Sequence, residues 1–210
     1  YVGHSTFLIE SAGGVTIATD YNDYVRPRMI PDIVTMNLAH DTHHTNNPER
    51  GIRYVLRGWD PDGGAAQHDL TLLDVRVRNV PTNIRRWDGG TAVYGNSIFV
   101  FELAGLCIAH LGHLHHTLTS QQLAQLGHID VVMVPVDGSY TLDLDGMVEV
   151  LAALKAPLML PMHYFSSFTL ERFLTRIGGT FEIVHHVVPT IVLSRASLPA
   201  RQQVLVLPGR

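Results

Sequence analysis

The alternation of hydrophobic and polar positions divides the chain into two textures. Up to His110, short β-like runs are separated by turn residues: 6–10, 15–19, 33–37, 70–80, and the pair 97–103 and 106–110 around Ala104-Gly105. The stretch from Thr71 to Arg78 ends in strict alternation, which implies one buried and one wet face. Beyond His110, strand and helix patterns take turns. Helices are expected at 120–126, 144–154 and 170–177, and strands at 129–136 and 157–162. Asp143 or Asp145 can cap the second helix, and Gly178-Gly179 stops the third. A β-rich first half followed by βα units predicts an α/β fold: two mixed sheets packed face to face with helices outside.

Composition narrows the function classes. With 210 residues, 46% hydrophobic and 16% charged, the chain can bury a full core, and one domain over 1–210 is expected. The longest apolar run, 129–136, is far short of the roughly 18 residues a membrane span requires. Net charge is −4 and the 15 Lys and Arg are scattered, so no footprint for nucleic acid or anionic lipid is present and a small-molecule substrate is expected. Cys107, alone in the apolar run 106–109, reads as a buried small hydrophobe and fits a cytoplasmic location. The chain opens at Tyr1 without an initiator Met, which leaves an export signal upstream open. The apolar segment 203–207 is expected to add an edge strand or to mediate a homo-oligomer contact.

Thirteen histidines change the picture, against about five at an ordinary usage of roughly 2%. Three groups directly follow expected strands: His40, His43 and His44; His110, His113, His115 and His116; and His163. Strands of one sheet that all run into imidazoles deliver them to one edge, where loops can aim them at a metal ion. His68, His128, His185 and His186 lie away from these ends and read as structural or exposed; His4, at the start of a strand, reads as a structural hydrogen-bonding residue.

The runs Gly3-His4-Ser5-Thr6-Phe7-Leu8-Ile9-Glu10, Ile17-Ala18-Thr19-Asp20, Asp32-Ile33-Val34-Thr35, Ile108-Ala109-His110-Leu111-Gly112, Val134-Pro135-Val136 and Leu160-Pro161-Met162-His163-Tyr164 resemble the metallo-β-lactamase superfamily, in the branch of UlaG-like L-ascorbate-6-phosphate lactonases. The resemblance runs from Gly3 to about His163 and implies an αββα sandwich with a metal site at one edge of the sheets. It also implies an HxHxDH motif, which falls without gaps on Leu38-Ala39-His40-Asp41-Thr42-His43, so Leu38 and Thr42 occupy two ligand positions. A shifted register would use His44 in place of His43. The later family histidines fall on His110 and His163, the bridging Asp falls on His113, and Ile84 stands near a position where such relatives often carry a His. Asp20 matches an Asp that supports a ligand from behind.

A bridging carboxylate helps to hold two divalent cations about 3.5–4 Å apart against their repulsion. With His113 and Thr42 replacing carboxylates, one ion is expected rather than two: a divalent metal, zinc first, with iron or manganese as alternatives. Expected metal ligands are His40, His43, His110, His113 and His163, and expected catalytic residues are His43, His163 and Asp41, Asp41 alternatively being a solvated turn. Ser139 and Tyr140 are candidates for binding a polar substrate, His115 or His116 for touching one, and Arg85 and Arg86 beside Trp87 for clamping an anion. These features predict a metal-dependent hydrolase acting on a lactone, phosphoester or similar bond. The alternatives are a non-hydrolytic metal-, cofactor- or ligand-binding protein on the same fold and a non-haem iron redox protein.

Overall fold

Side chains that alternate along the central strands sort into two apolar layers, and this sorting defines the architecture. The structure, a computed structural model, describes residues 1–86 and 88–209; Trp87, the aromatic neighbour of the expected Arg85-Arg86 clamp, lies outside the described residues. Strands β1 (Leu8–Glu10), β2 (Thr16–Ala18), β3 (Ile33–Met36) and β4 (Tyr54–Arg57) form a four-stranded sheet in that order, antiparallel at β1/β2 and parallel thereafter. The second sheet contains β5 (Asp69–Leu72), β6 (Val75–Arg85), β7 (Thr91–Leu103), β8 (Leu106–His110), β9 (Val131–Pro135), β10 (Leu158–Met162), β11 (Glu182–His185) and β12 (Gln203–Val206). Its order is β11-β12-β10-β9-β8-β7-β6-β5, antiparallel from β5 to β8 and parallel from β8 to β11.

Ile98, Val100, Ala109, Val132, Val134 and Met159 point to one face of the large sheet, where helices α1 (Ser120–Leu126), α2 (Leu144–Leu154) and α3 (Ser167–Ile177) cover them. Phe99, Phe101, Ile108, Val131, Met133 and Leu160 point the other way and meet Phe7, Ile17 and Ile33 of the small sheet. The sandwich with helices outside follows. The small sheet's outer face is covered differently: Ala18, Tyr21, Val34 and Met36 pack with Ile52, Val55 and Trp59, and no helix lies there among the described residues.

The helices begin where capping side chains permit. Thr119 and Gln122 form a reciprocal capping box at α1, Asp143 accepts from the Gly146 N–H at α2, and Ser166 accepts from Thr169 at α3, three residues ahead of the start expected from periodicity. Two strand expectations need correction. Segment 70–80 is not one strand: the register pairs Leu72 with Val75 across a turn at Leu73 and Asp74, with Leu73 held at φ +50°. Segment 203–207 is not an edge: β12 lies between β10 and β11, parallel to both, with Val204 to Leu207 buried.

Candidate metal centre

Four separate segments bring imidazoles together: His4 ahead of β1, His40 and His43 after β3, His113 after β8, and His163 after β10. Ring centroids are 4.3 Å apart for His4 and His163, 5.0 Å for His43 and His163, 5.1 Å from His113 to each of His43 and His163, and 4.9 Å for His40 and His113. His43, His113 and His163 are buried, His4 is half-buried and His40 is exposed. One ring nitrogen from each of His4, His43 and His163 lies within 4.8 Å of the other two.

Carboxylates behind the cluster orient two of these rings. Asp20 Oδ2 lies 2.6 Å from His43 Nδ1, and its Oδ1 accepts from Asn37 Nδ2 at 3.0 Å. Asp137 Oδ1 lies 3.0 Å from His163 Nδ1 and also accepts from the Thr141 hydroxyl. Burial opposes the ionisation of both acids, but their histidine and hydrogen-bond partners prevail and hold each carboxyl below its ordinary range. An ionised carboxylate only accepts, so Nδ1 of each histidine carries the proton and Nε2 carries the lone pair. Those two Nε2 atoms face each other at 3.1 Å. Two nitrogens that close share either a proton, one ring donating to the other, or a cation seated beside both, and metal–nitrogen bonds of about 2.0–2.1 Å fit the second arrangement.

The other imidazoles reinforce this reading. Neither ring nitrogen of buried His113 has a hydrogen-bond partner, nor does Nε2 of His4. Burial, then the charges of neighbouring histidines, pushes His4 down to about 3 and His113 well below the ordinary imidazole value, while burial leads the lowering of His40 and His43. His4 and His113 are therefore neutral imidazoles with unspent lone pairs, the donor type that borderline metal ions take. Backbone strain gathers at the same place: of seven non-glycine residues with positive φ among the described residues, three are His4, Asp20 and His163, at 51°, 41° and 55°. Gly112, at φ +59°, lets the chain turn between His110 and His113; a Cβ there would meet Asn37 Nδ2 and Asn96 Oδ1 at 2.4 Å. Asn96 in turn accepts from the His113 N–H at 2.8 Å.

Not every expected ligand joins the cluster. His110 is fully buried, but its Nε2 donates to the Ser5 carbonyl at 2.8 Å and its Nδ1 accepts from the Gly112 N–H at 3.2 Å, so both nitrogens are committed to the protein. His40 sits at the rim with exposed Asp41 beside it. His44 packs against Trp59 at 5.5 Å, whereas His43 lies inside the cluster. His115 and His116 hydrogen-bond to the backbone of Asn83, away from the cluster. Sequence reasoning did not single out His4 or Asp137 as site residues. Gly3 before His4, in a strand that starts late at Leu8, was an available sign of special backbone geometry, and Asp137 follows a fully apolar strand at the site edge.

Comparison with known proteins places this geometry among relatives. The profile of the beta-lactamase superfamily domain matches residues 1–163. A UPF0173 metal-dependent hydrolase of Thermoplasma acidophilum is 30% identical over 131 residues, 58% of this chain and 55% of that protein. One of Nanoarchaeum equitans is 23% identical over 180 residues, 78% of this chain and 82% of that protein. For a further relative, from Thermoplasma volcanium, the chain spans only 37% of its length. A crystal structure of a candidate Zn-dependent hydrolase of the metallo-beta-lactamase superfamily, from Thermotoga maritima, superposes with a TM-score of 0.70 at 30% identity, covering 100% of this chain and 97% of that one.

Proposed function

Because the chain belongs to the metallo-β-lactamase superfamily, we propose that it is a metal-dependent hydrolase of a small polarised substrate, a lactone or phosphoester, with one divalent cation held by His4, His43 and His163 and with the unpartnered nitrogens of His113 beside them. The observation that carries this reading is the 3.1 Å approach of the His43 and His163 Nε2 atoms, each backed by a buried carboxylate on Nδ1. Zinc suits a set of imidazole donors, and iron or manganese are the alternatives. Both Asp20 and Asp137 lie behind histidines, and Asp41 is exposed, so no carboxylate stands ready to bridge a second cation; this supports one ion. The divergence from the UlaG-like ligand pattern at Leu38, Thr42 and His113 belongs to the same proposal.

When bound, the metal supplies Lewis-acid polarisation and lowers the pKa of water toward about 7. The chain's own residues do the rest. Asp20 and Asp137 fix the tautomers of His43 and His163 and aim their lone pairs, so these rings act as donors rather than as proton carriers. Proton movement falls to His40, exposed at the rim beside His113, where burial and then the neighbouring His163 lower its pKa and favour the neutral ring that can accept a proton.

Metal analysis and turnover test this together. Protein expressed with zinc is expected to carry one ion per chain and to hydrolyse members of a lactone and phosphodiester panel, with His163→Ala losing both properties. A chain that binds no metal, or turnover unchanged in His163→Ala, would overturn the reading; metal retained without any turnover would favour a binding protein on the same fold.

A further inference from the structure

Two large aromatic side chains stand beside the histidine cluster with more than half of their surface in water. Tyr140 is 57% exposed and Phe165 58%. Their rings meet edge to face at 5.6 Å, Phe165 lies 5.3 Å from His163 and 5.7 Å from His4, and Tyr140 lies 6.0 Å from His40. Scattered single hydrophobes are ordinary on a surface, but a contacting aromatic pair at the lip of a buried polar site is a recognition surface.

The pair is also rigidly placed. Asp137 Oδ2 accepts from the backbone N–H of Tyr140 at 2.6 Å and of Ser139 at 2.9 Å, while Oδ1 of the same carboxylate positions His163. One buried acid therefore fixes both a donor to the metal and the strand-end loop that carries the aromatic ring. Phe165 follows His163 by two residues, and the His163 N–H donates to the His4 carbonyl at 2.8 Å, which anchors the start of that segment.

We propose that Tyr140 and Phe165 form a preorganised aromatic wall that receives an aryl ring of the substrate, so that the enzyme acts on aromatic esters or ring-fused lactones. This rests on the metal-dependent hydrolase reading. Ring stacking orients the substrate while its reacting carbonyl lies over the histidines. Expectation from the sequence that Tyr140 serves a polar substrate is thereby narrowed to its ring face.

Calorimetric titration of zinc-loaded protein with two metal-binding acids, benzohydroxamate and acetohydroxamate, tests the wall without requiring turnover. The aryl compound is expected to bind about tenfold or more tightly, the scale of one to two aromatic contacts. The preference should fall to within about threefold in the Tyr140→Ala/Phe165→Ala double variant and survive in Tyr140→Phe. Equal affinities in the wild type, or a preference that persists in the double variant, would overturn the wall while leaving the metal site intact. Binding of neither compound would instead overturn the metal reading, and the wall with it. Both side chains are exposed, so the variants keep their fold, checked by zinc content equal to the wild type.

Discussion

Asp20 and His43 form a fully buried pair, Oδ2 to Nδ1, at 2.6 Å, and Asp20 holds it from a left-handed backbone conformation at φ +41°. Removing the carboxylate strands Asn37 Nδ2 and leaves His43 Nδ1 only the Ser5 hydroxyl at 3.3 Å. Asp20→Ala is expected to lower zinc affinity by about 10–100-fold and stability by roughly 1–3 kcal/mol. Asn tolerates the left-handed region, so Asp20→Asn should lose less stability than Ala. Chelator competition and urea unfolding measure the two effects; unchanged zinc affinity in Asp20→Ala would show that the pair does not orient a ligand.

Ligands and neighbours should separate under substitution. His4→Ala and His113→Ala are expected to bind zinc more weakly, whereas His110→Gln retains the wild-type stoichiometry because both nitrogens of His110 already serve the protein. Zinc content after dialysis against a weak chelator reads this out. Loss of zinc in His110→Gln with zinc kept in His4→Ala would reverse the assignment.

Acid should act on His110 in a definite direction. Burial, first among its influences, lowers its pKa in the folded chain, so below the ordinary imidazole value of about 6.5 the unfolded state binds a proton that the folded state refuses. Its effect on folding is therefore absent above that pH and grows as pH falls below it, by at most about 1.4 kcal/mol per pH unit. His110→Gln has no such proton to take up. The stability gap between wild type and variant, followed by urea unfolding of metal-free protein from pH 7.5 to 5.5, is expected to narrow on acidification; a constant gap would contradict a buried neutral His110.

Gly112→Ala tests how tightly the turn into His113 is built. A methyl group would sit 2.4 Å from side-chain atoms of Asn37 and Asn96, at a backbone angle of +59°. Destabilisation of about 2 kcal/mol or more is expected, read from the midpoint of denaturant unfolding. The converse applies at Leu73, which is 74% exposed with φ +50°. Leu73→Gly is expected to stabilise the β5–β6 hairpin by about 0.5–1 kcal/mol.

Leu73 also explains where sequence reading stopped. A leucine is a poor sign of a turn, so alternation across it suggested one strand instead of a hairpin. Strand β4 and the first half of β7 escaped for a related reason: Tyr54–Arg57 is short, and Gly95 and Asn96 interrupt the apolar run of β7. Where a local signal was strong, reading was close: β8, α1 and α2 have the expected limits, set by Ala104-Gly105, by the α1 capping residues and by Asp143. The histidine edge was legible because strand ends announce it. Partner choice within that edge was not, since His110 is claimed by the carbonyl of Ser5, 105 residues away, and nothing in its own strand records that contact.

His4 belongs to the small-sheet side of the sandwich and His163 to the end of β10 in the large sheet, and their backbones meet at 2.8 Å. A cation shared by these rings is thus a clasp across the interlayer seam. Stripping it should loosen β1 and β10 in concert, so that amide exchange at Leu8–Glu10 and Leu158–Met162 accelerates together while the interior of α2 stays protected. The ion would then serve as a latch for the two layers of the sandwich as well as the seat of the chemistry.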